Sequence, residues 1–241
     1  MKVAIVSDIH GNLEAFKEVL SDIARSNVAR IISVGDNVGY GPDPEEVVQL
    51  LKSRGIPSVM GNHELGLANP SYLNWFNDAA RQSLILTKRL LQPETLNYLK
   101  HLPTSLVAYD SLFVHGCPPD SITTYLFEVP DPTLAGIISH LKQRISFVGH
   151  THILQLITLK EGRITRRPLA QGIYKLDPDA KYVINVGSVG QPRDEHNAAK
   201  YAIWDIETDT LEVRFIPYDI AKTAEKILRL GFPAINAHRL W

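Results

Sequence analysis

The chain has 241 residues, with 25 Lys or Arg against 26 Asp or Glu, and 44% of its residues are hydrophobic. This composition is that of a globular protein and excludes a chain that is mainly disordered, collagen-like or coiled coil. No apolar run approaches the ~20 residues that cross a bilayer, and the start MKVAIVSDIH is too polar for a signal peptide, so we expect a cytoplasmic protein with no membrane contact. The net charge of −1 offers no general attraction for nucleic acid. The single cysteine, Cys117, excludes an intramolecular disulfide and a Cys-based metal site.

The first sixty residues alternate between apolar runs and helical patterns. Continuous apolar runs predict buried strands at 3–6 and 31–34, and a third short strand at 58–60. Apolar residues at helical spacing predict a helix over 13–25, and helix signals return over 43–51. This β-α-β-α-β order predicts parallel strands joined by right-handed crossovers.

Residues 65–102 have a different sequence pattern, in which large apolar residues recur at helical spacing. They predict a helical insertion over one edge of the sheet, with a further helix beginning near Pro93. Residues 69–77 could form a lid. We interpret Trp75 and Phe76 as core of this insertion, with a substrate platform as the alternative; Tyr125 and Phe127 have the same two interpretations.

The chain becomes rich in strands after Pro103. Strands are predicted at 106–109, 112–115, 145–148, 154–158, 182–186, 201–206 and 212–216, and helices at 134–142 and 221–230. Asp209 and Thr210 lie between two strands and predict a hairpin. Arg163, Arg166 and Arg167 are interpreted as a solvated hairpin face rather than a nucleic-acid patch. We expect one α/β domain over 1–241 with a core of two sheets.

Polar residues with metal-binding side chains follow several of the predicted strands. Five histidines and two aspartates have this position, with a glycine close to each histidine: His10, His63, His115, His150, His152, Asp8 and Asp36. Because the ends of parallel strands line one crevice, these residues should converge in space. Carboxylate, imidazole and amide ligands suit divalent Mn, Fe, Ni or Zn. The sequence therefore predicts a metal site at the strand ends.

Five short motifs in this order resemble those of the calcineurin-like metallophosphoesterase superfamily. They are D-x-H at 8–10, G-D at 35–36, G-N-H-E at 61–64, V-H-G at 114–116 and G-H-T-H at 149–152. GDNVGYGPDP at 35–44, NVGSVGQPRD at 185–194 and a closing helix within 219–241 resemble a small prokaryotic phosphodiesterase branch. The resemblance implies an αββα sandwich, in which two mixed sheets are flanked by helices.

The resemblance also implies a site for two divalent metal ions. One ion would be held by Asp8, His10, Asp36 and His152, and the other by Asp36, Asn62, His115 and His150. Asp36 would bridge the ions and so serve catalysis, and a hydroxide shared by the metals would attack phosphorus in line with the leaving group. Together with Asn62, the catalytic His63 would contact the substrate, as a general acid or as a hydrogen-bond donor.

The sequence departs from two better-known branches of the superfamily just after Asp36. Protein Ser/Thr phosphatases continue with an Asp that orients the catalytic histidine and an Arg that grips phosphate, where this chain has Gly39 and Gly41. Symmetrical dinucleoside tetraphosphatases carry Arg-Gly there. Both activities are therefore disfavoured, and the orienting partner of His63 is open. Glu64 could take that role or could be a helix-start carboxylate, and Arg193 is the candidate cation for substrate binding.

These features predict a phosphodiesterase that hydrolyses a small or nucleotide-like ester. A phosphomonoesterase or a nuclease on the same site is the alternative, and a non-catalytic binding scaffold is disfavoured because every expected ligand is present. Nucleic acid is an unlikely partner because the chain has no basic stripe. No surface stripe in the sequence points to a particular oligomeric state.

Overall fold

The computed structural model describes all 241 residues and contains eleven strands in two sheets. In chain order the strands are β1 (Lys2–Val6), β2 (Arg30–Ser33), β3 (Ser105–Ala108), β4 (Ser111–Val114), β5 (Ile145–Val148), β6 (Leu154–Lys160), β7 (Arg163–Pro168), β8 (Gly172–Lys175), β9 (Lys181–Val186), β10 (Ala199–Asp205) and β11 (Thr210–Ile216). One sheet has the order β2-β1-β10-β11-β8 and the other the order β3-β4-β5-β9-β6-β7. Both sheets are mixed, since β1–β2, β4–β5 and β5–β9 pair in parallel and the other neighbours pair antiparallel.

Eight α-helices accompany the sheets. They are α1 (Leu13–Ala24), α2 (Pro44–Ser53), α3 (Asn62–Ala68), α4 (Asp78–Leu90), α5 (Pro93–Lys100), α6 (Asp131–His140), α7 (Ile220–Arg229) and α8 (Ala234–His238), with 3-10 turns at Pro70–Trp75 and Leu126–Glu128. The predicted starts of α1, α2, α5 and α7 agree with the structure to within one residue, and Pro93 is the first residue of α5 as predicted. Helix α6 begins at Asp131, three residues before its predicted start. None of the helices has both the length and the apolar character that a bilayer crossing requires.

Alternation of side chains along the strands builds three layers of core. Val3 and Ile5 of β1 face the other sheet, whereas Val6 packs with Phe16 of α1 on the outer side. Between the sheets, the ring centroids of Phe147 and Trp204 lie 5.6 Å apart. A separate cluster joins the outer face of β4 and β5 to α6. The predicted αββα sandwich of two mixed sheets flanked by helices is thus confirmed.

Residues 58–60 do not form the predicted third strand. Only one parallel bridge is made, between Ser33 and Ser58. The amide of Met60 turns away and donates to Pro103 O at 2.7 Å. Pro57 has no N–H, so the segment cannot extend a regular ladder before Ser58.

Strands β7 and β8 are missing from the sequence prediction. Each is the outermost strand of its sheet. The β7 sequence is RITRRP, with most of its side chains exposed, and β8 has only four residues. Charged and short edge strands protect a sheet from further pairing, and such strands lack the apolar signal by which strands are predicted.

Candidate dinuclear metal centre

Four buried residues from three strand ends form the first group of metal-binding side chains. The ligand atoms of Asp8, His10, Asp36 and His152 all lie within 4.8 Å of one another. His152 Nε2 is 3.2 Å from Asp8 Oδ1 and 3.0 Å from His10 Nε2. His10 Nε2 is 3.7 Å from Asp36 Oδ2. The group therefore presents two carboxylates and two imidazoles to one small volume.

The second group, Asp36, His115 and His150, shares Asp36 with the first. Asp36 Oδ2 is 3.2 Å from His115 Nε2, so the same oxygen faces a histidine of each group. The Asn62 side chain joins this group through its Oδ1, which is 3.1 Å from His115 Nε2. Asp36 Oδ1 instead accepts the backbone N–H of His63 at 2.8 Å, which fixes the carboxylate plane.

Backbone carbonyls orient the imidazole rings. Nδ1 of His10 donates to Val38 O at 3.0 Å and Nδ1 of His115 donates to Val34 O at 2.8 Å. A carbonyl can only accept, so each Nδ1 carries a proton and Nε2 is the nitrogen that faces the centre. His152 is held in the same way by Gln191 O. His150 is reversed: its Nε2 donates to Thr123 O at 3.1 Å, which leaves Nδ1 for the centre.

One buried atom tests whether this donor set fits a cation. Asp8 Oδ1 has no hydrogen-bond donor, whereas Asp8 Oδ2 accepts from His150 N at 3.1 Å. A buried carboxylate oxygen without a partner carries a desolvation cost of about 1–3 kcal/mol, which a coordinated cation would remove. The Nε2 lone pairs of His10 and His152 face each other and would both be stabilised by a cation between them. The residues therefore fit divalent metals.

The charge states of these groups suit metal binding. Burial opposes ionisation of Asp8 and Asp36, yet the facing histidines hold the pKa of both carboxyls below its usual value. Burial lowers the pKa of His150 to about 3 and that of His152 to about 4, so both rings are neutral, the state that a metal ligand requires. Burial also acts on His115, but Asp36 outweighs it and raises the pKa to about 9. A metal taken up by His115 must therefore displace a proton.

The backbone bends sharply at the strand ends that carry these side chains. Five of the grouped residues have positive φ angles, between 50° and 68°: Asp8, His10, Asp36, His150 and His152. Such angles are uncommon for residues other than glycine and concentrate at functional sites. Gly61 passes so close to Asp36 that a Cβ on it would lie 2.1 Å from Oδ1. Position 61 therefore cannot carry a side chain, because its Cβ would occupy the space of the Asp36 carboxylate.

His63 lies beside the groups without belonging to either. Its ring packs against His10, Tyr40 and Phe76, with centroid separations of 4.7, 4.6 and 5.1 Å. Its Nδ1 is buried and has no hydrogen-bond partner. A Cβ on Gly39 would lie 2.0 Å from that Nδ1. No side chain can therefore occupy position 39. Aromatic packing orients the ring of His63, whose Nε2 lies 4.0 Å from Asp36 Oδ2.

Glu64 binds backbone N–H groups. This contact decides between its two interpretations, as the partner that orients His63 or as a carboxylate at a helix start. Its carboxylate accepts from the N–H groups of Gly61, Asp36 and Asn37 at 2.8, 2.9 and 2.7 Å. Glu64 thus caps the start of α3 and holds the loop of Asp36, and it does not orient His63.

Arg193 lies one side chain away from the grouped residues. It is exposed, and its Cζ is 5.9 Å from the centroid of the Tyr40 ring, which in turn is 4.7 Å from the His10 ring. Its backbone N–H donates to His152 O at 3.3 Å, so the Arg193 loop is tied to a grouped residue. Arg193 is therefore placed to meet a bound molecule but not the metals themselves.

Two tyrosines of the site were not predicted as site residues. Tyr40 contacts both His10 and His63, and Tyr125 stacks on His150 with ring centroids 3.8 Å apart. The position of Tyr40 between Gly39 and Gly41 was the one available signal. The sequence allows Tyr125 to be either core or substrate platform, but nothing in it links Tyr125 to His150.

A cleft of about 410 Å3 opens beside the second group. Asn62 and His150 line it, together with five aromatic residues: Tyr40, Tyr72, Trp75, Phe76 and Tyr125. The side chain of Trp75 is 73% exposed, so its interpretation as insertion core is wrong. Phe76 is partly buried and packs both on the insertion and on His63.

The fold and the grouped residues define a metal-dependent phosphoesterase, and comparison with known proteins agrees. The calcineurin-like phosphoesterase superfamily domain matches residues 1–209, and the chain belongs to this superfamily. It is accordingly a hydrolase acting on phosphoric ester bonds, in a family that depends on two metal ions.

Particular relatives cover the whole chain or part of it. The chain is similar to protein MJ0912 of Methanocaldococcus jannaschii, with 37% identity over 99% of this chain and 97% of the relative. A metallophosphoesterase structure from Sphaerobacter thermophilus superposes with a TM-score of 0.86 at 34% identity, covering 100% of this chain and 98% of that one. A symmetrical bis(5'-nucleosyl)-tetraphosphatase of Coxiella burnetii is 33% identical over 48% of this chain and 42% of its own.

Proposed function

We propose that the protein is a phosphodiesterase that hydrolyses a small, nucleotide-like ester with the help of two divalent metal ions. The observation that carries this proposal is the pair of buried ligand groups that share Asp36. Asp8, His10, Asp36 and His152 would hold one ion, and Asp36, Asn62, His115 and His150 the other. Mn, Fe, Ni or Zn suits this mixed set of ligands.

When bound, such ions supply a water of lowered pKa and neutralise charge on the phosphoryl oxygens. The remaining chemistry belongs to the chain. Two divalent cations against the two aspartates leave a surplus of two positive charges, which attracts a phosphate ester to a protein whose net charge is −1. His63 would donate to the leaving-group oxygen or to the phosphate, with Asn62 as a second contact.

Exposed aromatic rings beside the metal groups support a nucleotide-like substrate. Tyr72 and Trp75 both line the cleft, with ring centroids 5.1 Å apart. Tyr125 also lines the cleft, and its ring stacks with that of Phe127 just outside the lining, with ring centroids 5.0 Å apart and Phe127 68% exposed. Large aromatic side chains at a wet cavity are platforms on which a base can stack.

The shape of the cleft favours a diester over a monoester. A second cavity of about 380 Å3 shares Tyr40, Asn77 and Tyr125 with the aromatic cleft. Two neighbouring cavities with shared lining residues can each take one substituent of a diester. A long nucleic acid is disfavoured, because Arg166 is paired with Asp131 at 2.8 Å and Arg167 lies over Tyr174, away from the cleft.

Two further expectations belong to the same proposal. We propose that residues 1–241 form one domain, because the core between the sheets draws on strands from both ends of the chain, from Val3 to Val213. A location in the cytoplasm stays a prediction.

Hydrolysis of bis-p-nitrophenyl phosphate tests the proposed function. We expect turnover when Mn or Ni is supplied, and its loss after treatment with EDTA, because the side chains alone provide no activated water. Turnover should return when metal is added back. A folded protein that hydrolyses neither this diester nor p-nitrophenyl phosphate with any divalent metal would refute the proposal, and hydrolysis of the monoester alone would make it a phosphomonoesterase.

Replacing Trp75 tests the base platform. Stacking of one base is worth about 1–3 kcal/mol, so Trp75→Ala should lower kcat/KM for thymidine 5'-(p-nitrophenyl phosphate) by about tenfold or more. Trp241→Ala is the matched control, because Trp241 is 70% exposed and lies outside the cleft lining. Equal kcat/KM values in the two variants would remove the nucleotide-like substrate from the proposal.

A further inference from the structure

The second cavity carries two arginines from distant parts of the chain. Arg193 belongs to the loop after β9 and Arg239 follows α8, and both line the cavity of about 380 Å3. We infer that this cavity, which we call the arginine pocket, binds a second phosphoryl group of the substrate, beyond the one that is cleaved. The inference rests on the proposed function, since it names the substrate class of the same site.

The guanidinium groups of the arginine pocket are free to bind an anion. Neither Arg193 nor Arg239 has a carboxylate within 4.0 Å, whereas Arg144, Arg166 and Arg214 all do. The Arg193 side chain donates to Gln191 Oε1 at 3.3 Å and also approaches the Tyr40 hydroxyl, and both partners are uncharged. These contacts leave donors of its guanidinium group free for an anion. Two unpaired guanidinium groups facing one cavity form a site that a dianion can neutralise.

The single carboxylate of the pocket lining does not cancel this charge. Asp194 pairs with Nζ of Lys200 at 2.5 Å. The Lys200 side chain is fully buried and also donates to the carbonyl of His196. This ion pair ties the loop of Arg193 to β10, so that loop has a fixed position and Asp194 does not neutralise either arginine.

The arginine pocket lies close to the proposed metal centre. The Tyr40 ring separates them: Arg193 Cζ is 5.9 Å from its centroid, and the His63 ring is 4.6 Å away from it. Asn236 of α8 donates to Tyr40 O at 3.1 Å, which anchors the C-terminal helix that precedes Arg239. A spacing of about one tyrosine ring is within reach of two phosphoryl groups on one nucleotide.

The second phosphoryl group could extend the 5'-phosphate chain or stand on the 3'-oxygen of the sugar. Both present the same dianion to the two arginines. Isothermal titration calorimetry in the presence of Mn can distinguish these positions. The three ligands to compare are thymidine 5'-monophosphate, thymidine 5'-diphosphate and thymidine 3',5'-bisphosphate. We expect one of the two bisphosphorylated ligands to bind at least about tenfold more tightly than the monophosphate. The tighter ligand identifies the position of the second group.

Substitution of Arg239 assigns this preference to the pocket. In both Arg239→Ala and Arg193→Ala, the tighter of the two bisphosphorylated ligands should bind within about threefold of the affinity for thymidine 5'-monophosphate. We call this comparison the affinity ratio. Arg229→Ala is the matched control, because Arg229 is an exposed arginine of α7 that lines neither cavity. Equal affinity of the wild type for all three ligands, or a preference that survives in both arginine variants, would overturn the inference. Binding of these ligands does not require turnover. A protein that hydrolyses no ester would refute the proposed function, whereas the affinity ratio would still test whether the arginine pocket binds a phosphoryl group.

Discussion

Asp36→Asn is expected to reduce turnover of bis-p-nitrophenyl phosphate more than any other single substitution at the site, by about a thousandfold or more. Asp36 Oδ2 faces His115 at 3.2 Å and His10 at 3.7 Å, so one carboxylate serves both ligand groups. Removal of a charged partner from a buried ionic site costs about 3–5 kcal/mol. Metal analysis by mass spectrometry should show loss of both ions, in parallel with the loss of kcat.

Asn keeps an oxygen acceptor for the His63 N–H, so the loop around residue 36 should remain folded. Asp110→Asn is the matched control, because Asp110 is exposed in the turn between β3 and β4. An Asp36→Asn variant that retained two metals and normal turnover would show that Asp36 is not shared between them, and the proposed centre would have to be redrawn.

His63→Ala is expected to lower kcat by about 10²–10⁴-fold, the usual contribution of a positioned proton donor. The metal content should stay close to that of the wild type, because neither ligand group includes His63. The contact that His63 makes with Asp36 Oδ1 comes from its backbone N–H, which alanine retains. Parallel measurement of kcat and of bound metal therefore separates catalysis from ligation.

His101→Ala provides the comparison, since His101 is exposed and its ring bonds only Asn97 O. Loss of metal in His63→Ala would mean that the ring supports the centre structurally. Unchanged turnover together with unchanged metal would exclude His63 from the reaction.

The sequence predicts the convergence of polar residues far better than it predicts the edges of the sheets. Asp8, His10 and His152 follow apolar runs, and parallel strands must bring such ends to one crevice. Their contacts in the structure follow from that rule, although metal ligation by them stays a prediction. β7 and β8 escape the same reasoning, since their charged or short sequences carry no buried face.

Contacts between distant elements lie beyond the sequence patterns. Tyr125 reaches His150 from a loop, and Arg239 meets Arg193 although 45 residues intervene in the chain. Neither position is marked by periodicity, spacing or a neighbouring glycine. Only packing brings these side chains together. The lining of the two cavities is therefore known only from the structure, whereas the metal-binding groups can be predicted from the sequence.

The positive φ angles of Asp8, His10, Asp36, His150 and His152 carry a consequence for mutational robustness. Left-handed backbone costs about 1–2 kcal/mol for a residue with a Cβ, so five such residues together cost about 5–10 kcal/mol, an amount similar to the net stability of a typical domain. Cation binding would return part of this free energy to the folded state. A lineage that lost the metals would therefore be free to place glycine or asparagine at these five positions and would gain tolerance to substitutions elsewhere, at the expense of catalysis.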